Sequence, residues 1–306
     1  MTTVNQRIGA PVDMVINGVD AGGMMSARIQ AGYDNLLSSE PDGLAVPVSD
    51  REIHFVRGTI VTQDWIHVVD LLTGEVGTYV FYERRSGLAE ATGYVIHTIT
   101  APVIHKVSID FAKGRYATAT FDFECRAASE IATIADMWAM TDAQPAPAAV
   151  LAAARGGWRI HTANFGSIGP ISVYHVTAFN FALTLPLVKD CNDTDIAYTA
   201  VDARMSGMSG TGSITFQDSA INSAKLKAEE VILHARDPLH LNCLQSGNAA
   251  DRIIAIDGVV FDSIGGNTDV TKPFSDYSMP FRVVNDSAVP LTLDGDNKII
   301  TTDEDS

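Results

Sequence analysis

The chain has 306 residues, 46% of them hydrophobic and 19% charged, with a formal net charge of −16. That apolar share is enough for a sizeable core, which excludes bulk disorder, and the length suits one large domain or two ordinary ones. The shortage of Lys and Arg excludes a protein that grips nucleic acid through its general charge, because phosphate binding needs a basic excess.

In chain order, residues 1–12 are polar and read as an N-terminal arm. Residues 14–19 and 26–31 carry partial alternation around Gly22-Gly23 and are expected to form a hairpin turning there. A turn-rich loop is expected over residues 33–48. Residues 52–57 alternate cleanly, with Ile53 and Phe55 on one face. A helix is expected over residues 63–72. Asp64 would cap its start and Gly74 stop it, with Trp65, Val68, Val69 and Leu72 on one side. Strands follow at residues 78–83, 94–99 and 107–111. Residues 116–125 are the strongest period-two segment in the chain. Residues 131–140 read as a short helix, and the Ala-, Pro- and Gly-rich residues 144–157 as a linker.

Beyond the linker the pattern starts again. Gly58-Thr-Ile-Val-Thr-Gln-Asp64 returns as Gly212-Ser-Ile-Thr-Phe-Gln-Asp218, each copy followed by a helix candidate, at residues 219–228 in the second. Residues 79–84 match 230–235, 95–99 match 253–257, 121–125 match 279–283, and 15–19 match 176–180, in pattern more than identity. Agreement in the order of elements favours two copies of one β domain. The expected organisation is an arm at 1–12, a first β domain at 13–143, the linker at 144–157, a second β domain at 158–293 and an acidic tail at 294–306. The fold class is mainly β, two tandem sandwich or barrel domains with one short helix each.

No chemistry is evident. Cys125, Cys191 and Cys243 form no Cys-x-x-Cys pair, so they read as buried apolar thiols of a cytosolic product, without zinc or disulfides. No run of about 18 apolar residues indicates a membrane span, and residues 1–7 lack the features of a secretory signal. The eight histidines form no metal-binding spacing, and His54 and His97 read as structural residues within strands. Residues 190–195 resemble a calcium loop only superficially, since Asp195 stands where the invariant Gly belongs. The Gly-rich residues 205–212 lack both the Gly-Lys-Ser/Thr ending and a following helix, and read as a flexible loop. Trp65, Trp138 and Trp158 build no visible aromatic platform for a ligand. The expectation is a protein that is not an enzyme and takes no cofactor or metal.

Several of these segments carry a family resemblance: Val15-Ile-Asn-Gly-Val-Asp-Ala-Gly22, the loop at 33–48, the strand and helix at 58–72, and Ala112-Lys-Gly-Arg-Tyr-Ala-Thr-Ala-Thr-Phe-Asp-Phe123. Their order resembles the tail tube proteins of long-tailed, siphovirus-like bacteriophages, here in a duplicated-domain form. The resemblance covers residues 10–126 and, through the repeat, about 170–285.

It implies tail-tube-like β-sandwich domains that assemble in rings of six, so that three two-domain chains would complete a trimeric, pseudo-hexameric ring. Stacked rings would form a tube carrying DNA from the virion to the host. Implied partners are further copies of the chain, the tape measure, tail terminator and distal tail proteins, and DNA in passage through an acidic lumen. The implied location is the virion tail, after synthesis in the host bacterial cytoplasm. By position, Tyr33, Asp34, Leu36, Leu37 and Glu40 match the loop through which such rings stack. Two alternatives stand beside this reading: a tail-tip, distal-tail or head–tail connector protein of the same fold, and a ligand- or carbohydrate-binding tandem β-sandwich.

Overall fold

Alternating apolar and polar residues dominate the sequence, and the computed structural model is accordingly antiparallel β almost throughout. It describes residues 9–16, 19–38, 48–63, 77–85, 93–127, 132–145, 158–160, 166–168, 171–190, 196–197, 200–203, 208–217, 237–245, 251–267, 275–284 and 300–304. The helix candidates at 64–72 and 219–228, the strand at 230–235, most of the linker and Cys191 lie outside these residues.

The first half contains β1 (Gly9–Ile16), β2 (Val19–Ser38), β3 (Val48–Thr62), β4 (Thr78–Arg85), β5 (Tyr94–Thr100), β6 (Pro102–Ala112), β7 (Thr118–Cys125) and β8 (Trp138–Gln144). One layer runs β1–β4–β5–β8, with Val19–Gly23 of β2 on the far side of β1. The other runs β2–β3–β7–β6. Between them lie Met14, Tyr79, Phe81 and Ile99 from the first layer and Val56, Ile60, Phe121 and Phe123 from the second, all buried. The Tyr79 ring meets Phe121 edge-on at 5.8 Å, a geometry worth about 0.5–1.5 kcal/mol beyond area burial.

The second half contains β9 (Trp158–Ile160), β10 (Gly166–Ile168), β11 (Ile171–Val173), β12 (Val176–Thr184), β13 (Leu187–Asp190), β14 (Ala200–Ala203), β15 (Ser209–Gln217), β16 (Asp237–Gln245), β17 (Asp251–Phe261), β18 (Gly265–Asn267), β19 (Asp276–Val283) and β20 (Ile300–Glu304). Here one layer runs β11–β10–β16–β17–β20, with β9 also on β16. The other runs β12–β15–β19, followed by Val259–Phe261 and β18 along β19. Its core is aromatic: Phe261 meets Phe281 edge-on at 5.6 Å, and Phe181 stacks on Phe281 at 6.2 Å.

Particular registers recur. Gly58 stands between Ile29 and Phe123, and Gly212 between Phe181 and Phe281. A Cβ on Gly58 would lie 2.8 Å from both the Arg28 carbonyl oxygen and the Phe123 ring. On Gly212 it would lie 2.4 Å from the Asn180 carbonyl oxygen and the Phe281 ring. Each glycine makes room for an aromatic ring lying across its strand. The chain corners recur as well. Ala101 (φ 46°) and Gly258 (φ 66°) are both left-handed, and their carbonyls accept the N–H groups of Arg126 at 2.8 Å and Val284 at 2.9 Å.

Some expectations change. The first hairpin turns between Ile16 and Val19, which face each other and flank the sequence Asn17-Gly18, while Gly22 and Gly23 lie inside β2 opposite Met14 and Asp13. Asn-Gly is itself a two-residue turn signature, and it outweighs the paired glycines. The match of 15–19 with 176–180 is displaced: Val176 flanks Phe216 as Met24 flanks Thr62, so β12 takes the place of β2 after Met24. The match of 95–99 with 253–257 moves by one residue, because Ile99 faces Tyr79 and Trp138 where Ile256 faces Leu239 and Ile300. Of the Gly-rich residues 205–212, Ser209–Gly212 belong to β15, which uses Gly210 and Gly212 for close packing.

Of the helix expected at 131–140 only α1 (Ile134–Met137) forms. Asp136 accepts the Thr133 N–H and hydroxyl at 2.8 Å each, which holds its carboxyl below the usual range. From Trp138 the chain becomes β8, because β5 offers it a ladder. Among the described residues α1 is the only helix.

Gly212→Ala is expected to lower unfolding free energy by about 1–3 kcal/mol through overpacking. Gly265→Ala, whose Cβ would meet nothing closer than 3.9 Å, should change it by less than about 0.5 kcal/mol. Urea denaturation of both variants checks this, and equal losses would contradict it.

Candidate assembly interface

The two halves meet strand to strand. β6 and β12 pair antiparallel from Lys106↔Thr184 to Ala112↔Ala178, which makes β2–β3–β7–β6–β12–β15–β19 one continuous layer. Two further bonds extend the seam, Lys113 N–H to Thr177 O at 2.7 Å and Leu185 N–H to His105 O at 2.8 Å. On the core side, Phe111 and Phe179 face each other across it, their centroids 6.1 Å apart.

A second contact reinforces this join. The β13–β14 hairpin follows β12, and its Lys189 forms an ion pair with Glu124 of β7, a carboxylate only 5% exposed. Nearby, His54 N–H donates to Ile196 O at 2.7 Å, and His54 and Ala197 form a parallel bridge. Burial pushes the His105 imidazole below its ordinary value of 6.5, against the opposing pull of Asp122 and Glu124. Burial likewise raises the Asp110 carboxyl, and pushes the Cys125 thiol up to about 12, keeping it neutral and inert.

The layer's other face is open and rich in small hydroxyl side chains, including Ser108, Thr118, Thr120, Thr211, Ser213 and Thr215. Thr59 donates to Asp122 at 2.6 Å, Asn180 to Ser213 at 2.9 Å, and Arg282 pairs with Asp262 at 3.1 Å. A shallow depression of about 370 Å³ lies between Arg28, Arg57, His105 and Asp122. Charged side chains stand among the hydroxyl groups, Arg28, Arg57, Lys106 and Arg282 alongside Asp110, Asp122, Asp262 and Asp276. Among those residues no group of His, Cys, Asp or Glu is arranged to hold a metal ion, and no helix is long and apolar enough to cross a membrane.

Four of the five residues expected in a stacking loop lie in a strand. Tyr33, Asp34, Leu36 and Leu37 belong to β2, opposite His54, Ile53, Arg51 and Ser49 of β3. The first part of the expected loop at 33–48 is strand instead, because no Gly or Pro falls between Tyr33 and Glu40 and β3 supplies ladder partners as far as Ser38. Tyr33 is 52% exposed and Asp34 is partly buried, whereas Glu40 lies outside the described residues.

His54 and His97 do lie in strands. Buried His97 contacts Glu83 through Nε2 at 2.8 Å and accepts the Trp138 indole N–H at 3.2 Å, a structural role. The seam strands were legible as strands, through Val107, Ile109 and Phe111 and through Phe179, Phe181 and Leu183. Their mutual pairing was not, and neither was the Lys189–Glu124 contact.

The chain is thus a two-layer antiparallel β protein in which one layer passes unbroken from one half to the other. The chain matches the family model described as phage tail tube protein over residues 13–283, from β1 through β19 and across both halves. It belongs to that family, and is therefore a structural component of a virion tail. No curated protein sequence matches it significantly.

The His105 environment gives a pH test. Its folded-state affinity for a proton is below the unfolded value, so its contribution is intact above about pH 6.5 and is lost as pH falls further. His105→Gln should make the fall in stability between about pH 7 and 5 shallower than in the wild-type chain. Urea unfolding across that range measures it, and identical slopes would contradict the assignment.

Proposed function

We propose that three chains close into a ring of six β-sandwich domains, and that such rings stack into the tube that conducts DNA from virion to host. The observation that carries this reading is the β6–β12 pairing, which joins two sandwich halves edge to edge within one chain. Repeating that join between chains removes the remaining sheet edges by closure. The recurring registers of Gly58 with Phe123 and of Gly212 with Phe281 support treating residues 13–143 and 158–293 as two domains of one fold.

In this reading the unbroken layer lines the lumen. Its open face is hydroxyl-rich and carries both signs of charge, and the net charge of −16 favours an acidic lumen. A lining without basic excess exchanges few phosphate counterions, so DNA would pass without adhering. The chain's role is then mechanical and not enzymatic. Leu36 and Leu37 near the end of β2, with Glu40 beyond them in sequence, are the proposed contact with the next ring. Tape measure, tail terminator and distal tail proteins would meet the tube inside or at its ends, and the subunit would be made in the host bacterial cytoplasm.

Negative-stain imaging of the purified protein tests the reading. Long hollow tubes are expected. Single rings that never elongate would assign the chain to a tail-tip or connector role instead, and monomers at high concentration would contradict self-assembly.

A further inference from the structure

We infer that neighbouring chains join through one particular strand pairing, the open edge of β2 against that of β18, in the register β12 and β6 use inside the chain. This rests on the ring reading above and specifies its contact. β12 pairs with β15 on one edge and β6 on the other. β2 holds the matching place beside β3, since Ile29 faces Gly58 as Phe181 faces Gly212. Among the described residues no strand lies on the other edge of β2 from Met24 onward.

The complementary edge follows from β6. Ile104 faces Phe123 and Ser108 faces Thr120 on β7. In the second half Phe261 faces Phe281 and Gly265 faces Ser278 on β19. Phe261–Asn267 thus takes the place of β6, with residues 262–264 standing where the β6 bulge falls between Ile104 and Lys106. Among the described residues the far edge of β18 also carries no strand.

Neither edge is blunted. β2 has no proline and no register shift between Ser26 and Leu36, and β18 opens with Gly265-Gly266, which lets another backbone approach closely. Within the seam Ser108 faces Ala182, Ile109 faces Phe181 and Asp110 faces Asn180. Transferred to two chains, Gly265 of one faces Gln30 of the next, Gly266 faces Ile29, and Asn267 faces Arg28.

The same transfer reassigns Tyr33. Leu185, the residue after β12's last seam partner, is 2% exposed and bonds through its N–H to His105 O. Tyr33 follows Gly32 in the same relation but is 52% exposed, and Ile264 on the opposite edge is 41% exposed. Pairing brings these two apolar side chains together and covers both. Tyr33 is then a contact within the ring and not between rings.

Tubes assembled from a Gln30→Cys, Gly265→Cys double variant test this. Directly opposed residues in antiparallel strands have Cα atoms about 4.5–5.5 Å apart, within disulfide range. Mild oxidation should convert most of the chains to covalent dimers and trimers, with nothing larger. A Gln30→Cys, Gly266→Cys control places the thiols on opposite faces and should remain monomeric under denaturing conditions. Cys125 and Cys243 are buried and form no disulfide.

Tubes that form without linking, or a control that links equally well, would overturn the pairing and leave the ring reading standing. If the double variant does not assemble, hydrogen exchange on wild-type tubes decides. Slowed exchange at residues 26–33 and 265–267 relative to the unassembled chain supports the pairing, and unchanged exchange overturns it. A wild-type chain that forms no tubes or rings sinks the ring reading, and this pairing with it.

Discussion

Backbone N–H and C=O groups on the edge of a sheet demand partners, and the pairing of β6 with β12 meets that demand between the two halves of this chain. The rest follows from it. Phe111 and Phe179 can share a core boundary only because their strands are joined in register. The β13–β14 hairpin then reaches back so that Lys189 neutralises the buried Glu124 carboxylate, whose burial without a partner would be costly. His105 becomes a desolvated seam residue for the same reason. A layer that has crossed one such seam can, on the proposed reading, cross the next by the same chemistry.

The charge of −16 looks different once the layer's open face is seen. That face carries arginine, lysine and aspartate side chains among many serines and threonines. Part of the acidic excess lies in the sequence at Asp294, Asp296, Asp303, Glu304 and Asp305. A polar lining of short side chains limits both salt-bridge anchoring and apolar adhesion, which suits transient contact better than binding.

Much of this fold was legible in the sequence where a local rule governed it. Period-two alternation identified the strand ending at Cys125, and the Gly-x-Ile-x-x-Gln-Asp segments fell where Gly58 and Gly212 accommodate rings from across the sheet. The sequence misled where two local signals competed: Gly22-Gly23 competed with Asn17-Gly18 as a turn signal, and Pro41 and Gly43 masked a strand that continues past Tyr33 to Ser38. The seam was not legible at all. Val107, Ile109 and Phe111 alternate identically whether β6 is an edge or a central strand, and only the tertiary pairing tells which. Tyr33 was therefore readable as exposed but not as lateral.

The central claim is that each chain supplies two adjacent domains to a ring of six. End-on cryo-electron microscopy of assembled tubes, with rotational symmetry determined without imposing it, tests it most directly. The account predicts strong sixfold density with a weaker threefold component, one chain spanning two neighbouring sixfold positions through β6 and β12. A ring of six whole chains, or density in which the two halves of a chain lie in different rings, would contradict it.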